Sequence, residues 1–426
     1  MSESIEIEPV AKPVRARVRP PGSKSVTNRA LVCAALAKGR STLRGALDSE
    51  DTRVMIAALG ELGIAVAAQD AGRTLVVEGT DRRIPAVNAE LFCANSGTTI
   101  RFLTALVTLG HGAFRLDGVA RMRQRPIADL LDALNQLGAD ARSETGNGCP
   151  PVVVHANGLP GGSATVRGDV SSQFLSGLLM ATPAAASPVE LRIAGPLVSQ
   201  PYVRMTLAVM RSFGVDVGTN EQFSEFHIRG PLPYRACDYA IEPDASAASY
   251  FWAVAAITGG EVTVEGLSAE SLQGDVAFVD CLEAMGCEVR RDADSITVVG
   301  RALRGIDVDM NAISDTVQTL AVVALFAEGP TTIRNVGHVR HKETDRIAAL
   351  ATELRKLGAT VDERDDGLTI APGRLHGAAI DTYDDHRMAM SFALAGLRQE
   401  GVRINHPECT AKTYPGYFHD LAATIG

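Results

Sequence analysis

Cations recur in this chain at places where helix starts would disfavour them. Lys24 and Arg29 stand in GSKSVTNR (22–29), Arg101 closes NSGTTIR (95–101), and Arg387 closes DDHR (384–387). Similar polar openings stand at DVSSQ (169–173), PDASAAS (243–249) and SDTVQ (314–318), each before an apolar run. A helix N-terminus presents unpaired N–H groups and the positive end of a dipole, so it suits anions. Ser, Thr, Asp and Asn there are also ordinary caps, and capping suffices for any one segment, Asp315 included. The cations are not needed for capping. Their recurrence points to an anionic ligand that compensates them.

More cations cluster in loops. Arg121, Arg123 and Arg125 lie in RMRQRP, before a helix expected near Pro126. Lys342 and Arg346 flank Glu343 in HKETDR, four apart and expected on one helical face. Lys412 lies in CTAKTYPG. Each alone reads equally well as solvated surface. On a chain of formal net charge −9, together they suggest a focused field for a small, highly charged substrate. The same acidity argues against a nucleic-acid binder.

Several common motifs fail. GSKS lacks the glycines of a phosphate-binding P-loop, because Ser23 stands where one is needed. No GxGxxG follows a strand, and neither HExxH nor GxSxG occurs. His338 and His341 are crowded by Arg340, Lys342 and Arg346, which would repel a metal ion, so no metal site is expected.

The elements that must position these residues repeat. Gly63, Gly138, Gly214, Gly286 and Gly358 each end a helix and open a strand pair, at intervals of 75, 76, 72 and 72 residues. Before each helix lies a leading strand: 41–45, 113–118, 189–195, 261–266 and 331–337, with a sixth at 402–406. Before each strand lies a more apolar helix, near 27–37, 99–109, 172–182, 246–257, 315–327 and 387–398. The alternation argues α/β units rather than a bundle or sandwich. The sixth unit lacks its strand pair, and IEIEPV (5–10) and VRARVRP (14–20) are expected to supply it, so that the termini meet. Two lobes of three units is the natural partition, with crossings near 20–22 and 237–242. An open six-unit solenoid is the alternative, but no polar capping repeat is apparent.

Composition agrees. The 426 residues are 46% hydrophobic and 21% charged, which excludes wholesale disorder and collagen-like repeats. The seven cysteines form no CxxC, so a reducing compartment is expected. MSESIEIEPV has no apolar core of a signal peptide, and apolar stretches such as 320–327 are too short to span a bilayer. A cytoplasmic protein without a membrane partner is the expectation.

Taken in order, GSKSVTNRA (22–30), NSGTTIR (95–101), RMRQRPI (121–127), VSSQF (170–174), LVSQPY (197–202), SDT (314–316), KETDR (342–346), DDHRMAM (384–390) and CTAKTYPGY (409–417) resemble the enolpyruvyl transferases. The resemblance spans nearly the whole chain. It implies a two-domain, inside-out α/β barrel of six βαβαββ repeats, three per domain, with helix N-termini facing an interdomain cleft. The first domain would hold residues 1–21 and 241–426, the second 22–240. It implies transfer of the enolpyruvyl group of phosphoenolpyruvate to the 5-hydroxyl of 3-phosphoshikimate, through a tetrahedral intermediate, with release of phosphate. The pathway would be that of aromatic amino-acid biosynthesis, with no cofactor, a monomeric enzyme and sensitivity to glyphosate.

By the same resemblance, Lys24, Ser25 and Arg29 take the shikimate ring substituents and its carboxylate. Ser171, Ser172 and Ser199 take its phosphate, with Lys342 nearby, and Gln173 and Tyr202 pack against the ring. Lys24, Gly97, Arg125, Gln173, Arg346, Arg387 and Lys412 belong to phosphoenolpyruvate. Asp315 becomes the proton acceptor, contacting the shikimate substrate, and Glu343 the partner in proton transfer. Lys24, His386 and Lys412 share the acid work. Two phosphates and two carboxylates in one place require several cations, and Arg can hold them bidentately.

Three positions qualify the match. His338 stands where the family often has Asn, so that phosphate contact is not carried over. Gly97 follows the form associated with glyphosate sensitivity, but Phe102 stands where some members have proline. A related enzyme uses UDP-N-acetylglucosamine and carries Lys-Asn and a loop cysteine; here Ser25 follows Lys24, Ala120 stands five before Arg125, and no Cys lies between 94 and 148. A non-catalytic binding protein for phosphorylated metabolites would not need the set Asp315, Glu343 and Lys24.

Overall fold

The computed structural model describes residues 4–426. Its repeating pattern is plain in residues 88–157. Strand Asn88–Phe92 leads to helix Gly97–Val107, strand His111–Asp117, helix Ala128–Gln136 and the strand pair Asp140–Ser143 and Val152–Asn157. The first two strands pair in parallel, as a connecting helix permits, and the pair adds antiparallel. Among the described residues there are five such four-stranded sheets and one of three strands. The α/β repeat reading is borne out. The five repeat-marking glycines all have positive φ, between 79° and 113°.

The chain divides into two compact units, one of Gly22–Ile241 and one formed by both ends of the chain, up to Pro21 and from Glu242. Each unit has its own apolar core. In each, three helices are buried nearly throughout: Lys24–Leu36, Gly97–Val107 and Ser172–Ala181 in one, Ala245–Thr258, Val317–Val323 and His386–Gly396 in the other. Helices apolar on all sides belong inside. The second helix of each repeat is amphipathic, as in Ala128–Gln136, where Leu130, Leu131, Ala133 and Leu134 are buried. Strands therefore lie outside helices, the inverse of an ordinary barrel.

Each crossing follows a strand that pairs within its own unit. Arg15–Val18 pairs in parallel with Glu261–Glu265, Val262 opposite Ala16, before the chain moves to the helix Lys24–Leu36. Asp238–Ala240 pairs in parallel with Lys38–Arg44, Tyr239 opposite Leu43, before the chain moves to Ala245–Thr258. Each crossing strand completes a sheet of the unit the chain is leaving. This corrects the expectation that both N-terminal strands join the last repeat. Only Ser4–Glu6 does so, antiparallel to Arg403–Asn405, and it closes the three-stranded sheet. At the first crossing a Cβ on Gly22 would lie 1.8 Å from the carbonyl oxygen of Gly45, so only glycine fits.

The helix expected at 315–327 is shorter. A 3₁₀ turn, Asn311–Thr316, precedes Val317–Val323, and a second, Ala324–Phe326, follows it. Ile313 breaks the first turn at φ −125° and ψ 39°, and Thr316 Oγ1 donates to its carbonyl at 2.8 Å.

Candidate active site

In the unit Gly22–Ile241, serines cap the three inner helices. Ser23, Ser96 and Ser171 accept from the backbone N–H groups of Val26, Thr99 and Gln173. The capping explanation is therefore correct for these serines, but it leaves the cations unexplained. Lys24, in the first turn, has its Nζ 3.5 Å from Asp51 Oδ2. Ser25 offers its carbonyl to Arg29, and Ser172 is buried in the first turn of its helix. Ser199 is buried in left-handed backbone (φ 54°) and starts the helix Gln200–Ser212, on which Tyr202 is also buried.

Two guanidinium groups converge on Gly97. A Cβ there would meet Arg125 NH2 at 2.5 Å and Arg101 NH1 at 2.8 Å, so any side chain would push these groups aside. Arg101 donates to Gln173 Oε1 at 2.6 Å and to the Pro126 carbonyl at 3.1 Å. Arg125 donates to the carbonyl and the side-chain oxygen of Asn95, at 2.9 and 3.2 Å. The three arginines of RMRQRP separate: Arg123 pairs with Asp117 at 2.7 Å near the surface, Arg121 donates to Gln124, and only Arg125 turns inward. The helix after them starts at Ala128, close to the expected Pro126.

Arg29 is wholly buried. Its Nε donates to Thr206 Oγ1 at 2.7 Å, NH1 to the Ser25 carbonyl at 2.9 Å, and NH2 to Ser176 Oγ and the Tyr202 carbonyl at 3.3 Å each. Phe102 lies under the guanidinium, 5.2 Å from ring centroid to Cζ. All four acceptors are neutral. Burial draws the pKa down to about 10.

The other unit gathers acids around its cations. Asp315 Oδ2 lies 2.7 Å from Arg387 NH2, and Oδ1 lies 3.4 Å from Arg346 NH1 and 3.7 Å from Lys342 Nζ. Arg346 also donates to Asp385 at 2.7 and 3.3 Å and to Glu343 Oε2 at 2.8 Å. Burial acts to lower the Arg346 pKa, but Asp385, Glu343 and Asp315 outweigh it and hold it above the ordinary value. Arg387 NH1 reaches Tyr250 Oη at 3.4 Å, and burial lifts that phenol to about 12. His386 is buried with Nδ1 3.6 Å from Asp385 Oδ1. Lys412 is buried at the end of the turn Pro407–Lys412. His338, buried and beside Lys342, is pushed down to about 3 and is neutral at neutral pH.

Two sequence expectations change here. Asp315 is not a cap, since Thr316 precedes the helix and Asp315 sits in the 3₁₀ turn, its carboxylate on three cations. Lys342 and Arg346 do not share a helical face: Lys342 ends a turn, and Arg346 opens the helix Arg346–Lys356. Asp315 draws both to one carboxylate oxygen. Asp385 was missed as a site residue. It caps His386–Gly396 and binds Arg346, and its place in DDHR signalled only the cap. Among the described residues no three His, Cys, Asp or Glu side chains group as metal ligands would. Nor is any helix among them long and apolar enough to cross a membrane.

Each unit gathers buried cations, and in the second they are paired with carboxylates. Comparison with known proteins supplies the chemistry. The chain matches the family model of EPSP synthase (3-phosphoshikimate 1-carboxyvinyltransferase) over residues 9–421. It is 48% identical over 425 residues to the 3-phosphoshikimate 1-carboxyvinyltransferase of Trichormus variabilis, covering 100% of both chains. It is also 48% identical over 438 residues to the chloroplastic 3-phosphoshikimate 1-carboxyvinyltransferase of Arabidopsis thaliana, covering 99% of this chain and 84% of the relative. The solved EPSP synthase of Acinetobacter baumannii matches with a TM-score of 0.82 at 27% identity, covering 99% of this chain and 98% of that one. The enolpyruvyl transferase NikO of Streptomyces tendae shares the fold, with a TM-score of 0.79 at 22% identity, covering 99% and 97%.

Proposed function

This chain belongs to the EPSP synthase family, and from that premise we propose how its residues divide the work. The enzyme transfers the enolpyruvyl group of phosphoenolpyruvate to 3-phosphoshikimate, a step of the shikimate pathway. In our reading the 5-hydroxyl attacks, a tetrahedral intermediate forms, and phosphate leaves by C–O cleavage. Lys24, Ser25 and Arg29 hold the ring substituents and carboxylate of 3-phosphoshikimate. Ser171, Ser172, Ser199 and Lys342 hold its phosphate, and Gln173 and Tyr202 face the ring. Gly97, Arg125, Arg346, Arg387 and Lys412 serve phosphoenolpyruvate.

The observation that carries this reading is the grip of Arg346, Arg387 and Lys342 on Asp315. A carboxylate so held is a weak base, because nearby cations favour its ionised form. Phosphoenolpyruvate competes for the same N–H groups. As Arg346 and Arg387 turn to the substrate, Asp315 gains proton affinity and can take the proton of the attacking hydroxyl. The base is thus armed by the substrate it serves. Glu343, on Arg346 at 2.8 Å, is the partner in proton transfer at the methylene carbon, with Lys24, His386 and Lys412 sharing the acid work.

Phosphate release from phosphoenolpyruvate tests the assignment, with 3-phosphoshikimate or UDP-N-acetylglucosamine as acceptor. Release with the first alone is expected. Release with the second alone, or with neither while both ligands still bind, would overturn it. A monomeric, cytoplasmic, glyphosate-sensitive enzyme completes the proposal, and the free thiols of all seven cysteines suit a reducing compartment. Gly97→Ala should raise KM for phosphoenolpyruvate about tenfold and weaken glyphosate at least as much, since the added methyl displaces two guanidinium groups. Unchanged constants for both would remove Gly97 from the assignment.

A further inference from the structure

The helix that carries Arg346 holds a second buried charge that the reaction as described does not use. Glu353 lies about two turns after Arg346 on Arg346–Lys356 and is 0% exposed. Its Oε1 accepts from Tyr383 Oη at 2.6 Å. Its Oε2 accepts from the backbone N–H of Asp381 at 3.1 Å and lies 2.9 Å from Lys356 Nζ. Asp381 is itself fixed by Lys356 at 2.7 Å and by Asn405 at 2.9 Å.

The segment held in this way does not rest in relaxed backbone. Tyr383 and Asp384 have φ of 55° and 54°. Side-chain-bearing residues seldom enter that region, and two in succession persist only where the surroundings over-determine them. The Tyr383 ring is 39% exposed, so core packing does not supply that constraint. The Asp385 N–H closes the turn on the Thr382 carbonyl at 2.8 Å, and the Tyr383 hydroxyl ties it to Glu353. The next residue is Asp385, which caps His386–Gly396 and binds Arg346 through both oxygens. One rigid helix therefore clamps the turn at both ends, with Glu353 on Asp381 and Tyr383, and Arg346 on Asp385.

We propose that Glu353 is a positioning residue: through Tyr383 and Asp381 it fixes the left-handed turn that aims Asp385, and with it Arg346 and Arg387, at phosphoenolpyruvate. The inference rests on the reading of Arg346 and Arg387 as phosphoenolpyruvate-binding residues. A carboxylate suits the task because it offers two acceptor oxygens to two donors on the turn while Lys356 balances its charge. Neither Glu353 nor Tyr383 need touch the substrate.

The test compares Tyr383→Phe, Glu353→Gln and Arg346→Lys by steady-state kinetics and thermal unfolding. Tyr383→Phe removes one hydroxyl from a half-exposed ring and should fold normally. It should raise KM for phosphoenolpyruvate about tenfold, as a small misplacement of binding groups does. Turnover and KM for 3-phosphoshikimate should stay within about twofold, the split expected when only one ligand's binding groups are displaced. Glu353→Gln should give the same split, and the double variant should add little to either single change, because both act through one turn. If Glu353→Gln does not fold, Tyr383→Phe still decides. An unchanged KM in Tyr383→Phe, beside a raised KM in Arg346→Lys, would overturn the inference alone. Equal losses for both substrates with a lowered melting temperature would also overturn it, by reducing Glu353 to a structural anchor. An unchanged KM in Arg346→Lys would show that the binding reading itself had failed, and the inference would fall with it.

Discussion

Arg29 and Arg346 are each 1% exposed, yet they sit in opposite electrostatic surroundings. Arg29 donates only to neutral oxygens, and burial draws its pKa down to about 10. Arg346 is ringed by Asp385, Glu343 and Asp315, and is held above the ordinary value despite burial. A guanidinium among dipoles keeps much of its desolvation cost. An arriving carboxylate would supply the counter-charge it lacks. Around Arg346 the counter-charges are already present, so under the proposed function an arriving anion would displace one, and the displaced carboxylate would become the base. The same residue type is thus held among neutral oxygens in one unit and among carboxylates in the other. What differs is where the acids are.

The strongest way to break this contrast is to remove the restrained base. Asp315→Ala should fold and lose about 10³-fold in turnover, within the range of general-base removal. Phosphate-release kinetics on protein of normal circular dichroism reads it, and near-wild-type turnover would refute the role. Next in size is stability. Arg346→Met strands Asp385 and Glu343 in the interior, so urea unfolding should show a loss of about 3–5 kcal/mol. A loss below about 1 kcal/mol would mean that the acids are not truly desolvated.

A smaller effect concerns pH. His338 lies beside the same cations, and its folded pKa of about 3 lies below the ordinary 6.5. As pH falls, the unfolded chain therefore takes up this proton first. The stability tied to neutral His338 is full above pH 6.5 and is lost as pH falls toward 3, about 2 kcal/mol of it by pH 5. His338→Asn should flatten that slope in urea unfolding at pH 5 and 7. An unaltered slope would place the imidazole in water rather than in the cluster.

How much of this was legible in the sequence follows from which interactions are local. The repeats were readable because a helix-ending glycine and the strand pair after it are written within a few residues, as at Gly286 and 288–299. The destination of Arg15–Val18 was not, because pairing with Glu261–Glu265 is set by partners more than two hundred residues away. Asp315 looked like a cap because a helix start and a 3₁₀ turn share the same polar letters; only Ile313, broken from helical geometry, separates them. Arg121, Arg123 and Arg125 were equivalent on paper. Asn95, thirty residues before Arg125, receives it inside, whereas Asp117, only six before Arg123, keeps that residue near the surface. Lys342 and Arg346 were joined by spacing, whereas in the fold they are joined by Asp315.

The contrast between the two arginines turns on the proposal that Arg29 receives the carboxylate of 3-phosphoshikimate. Calorimetric titration of 3-phosphoshikimate into wild-type and Arg29→Met protein tests it most directly. Removing the guanidinium leaves Thr206 bonded to Ser176 and to the Tyr202 carbonyl, at 2.9 and 2.8 Å. The ligand-free variant should therefore change in stability by no more than about 1 kcal/mol. Its affinity for 3-phosphoshikimate should fall about 100-fold, the loss of a charge-assisted contact. Unchanged affinity with a large loss of stability would contradict the account and make Arg29 a structural staple of its unit.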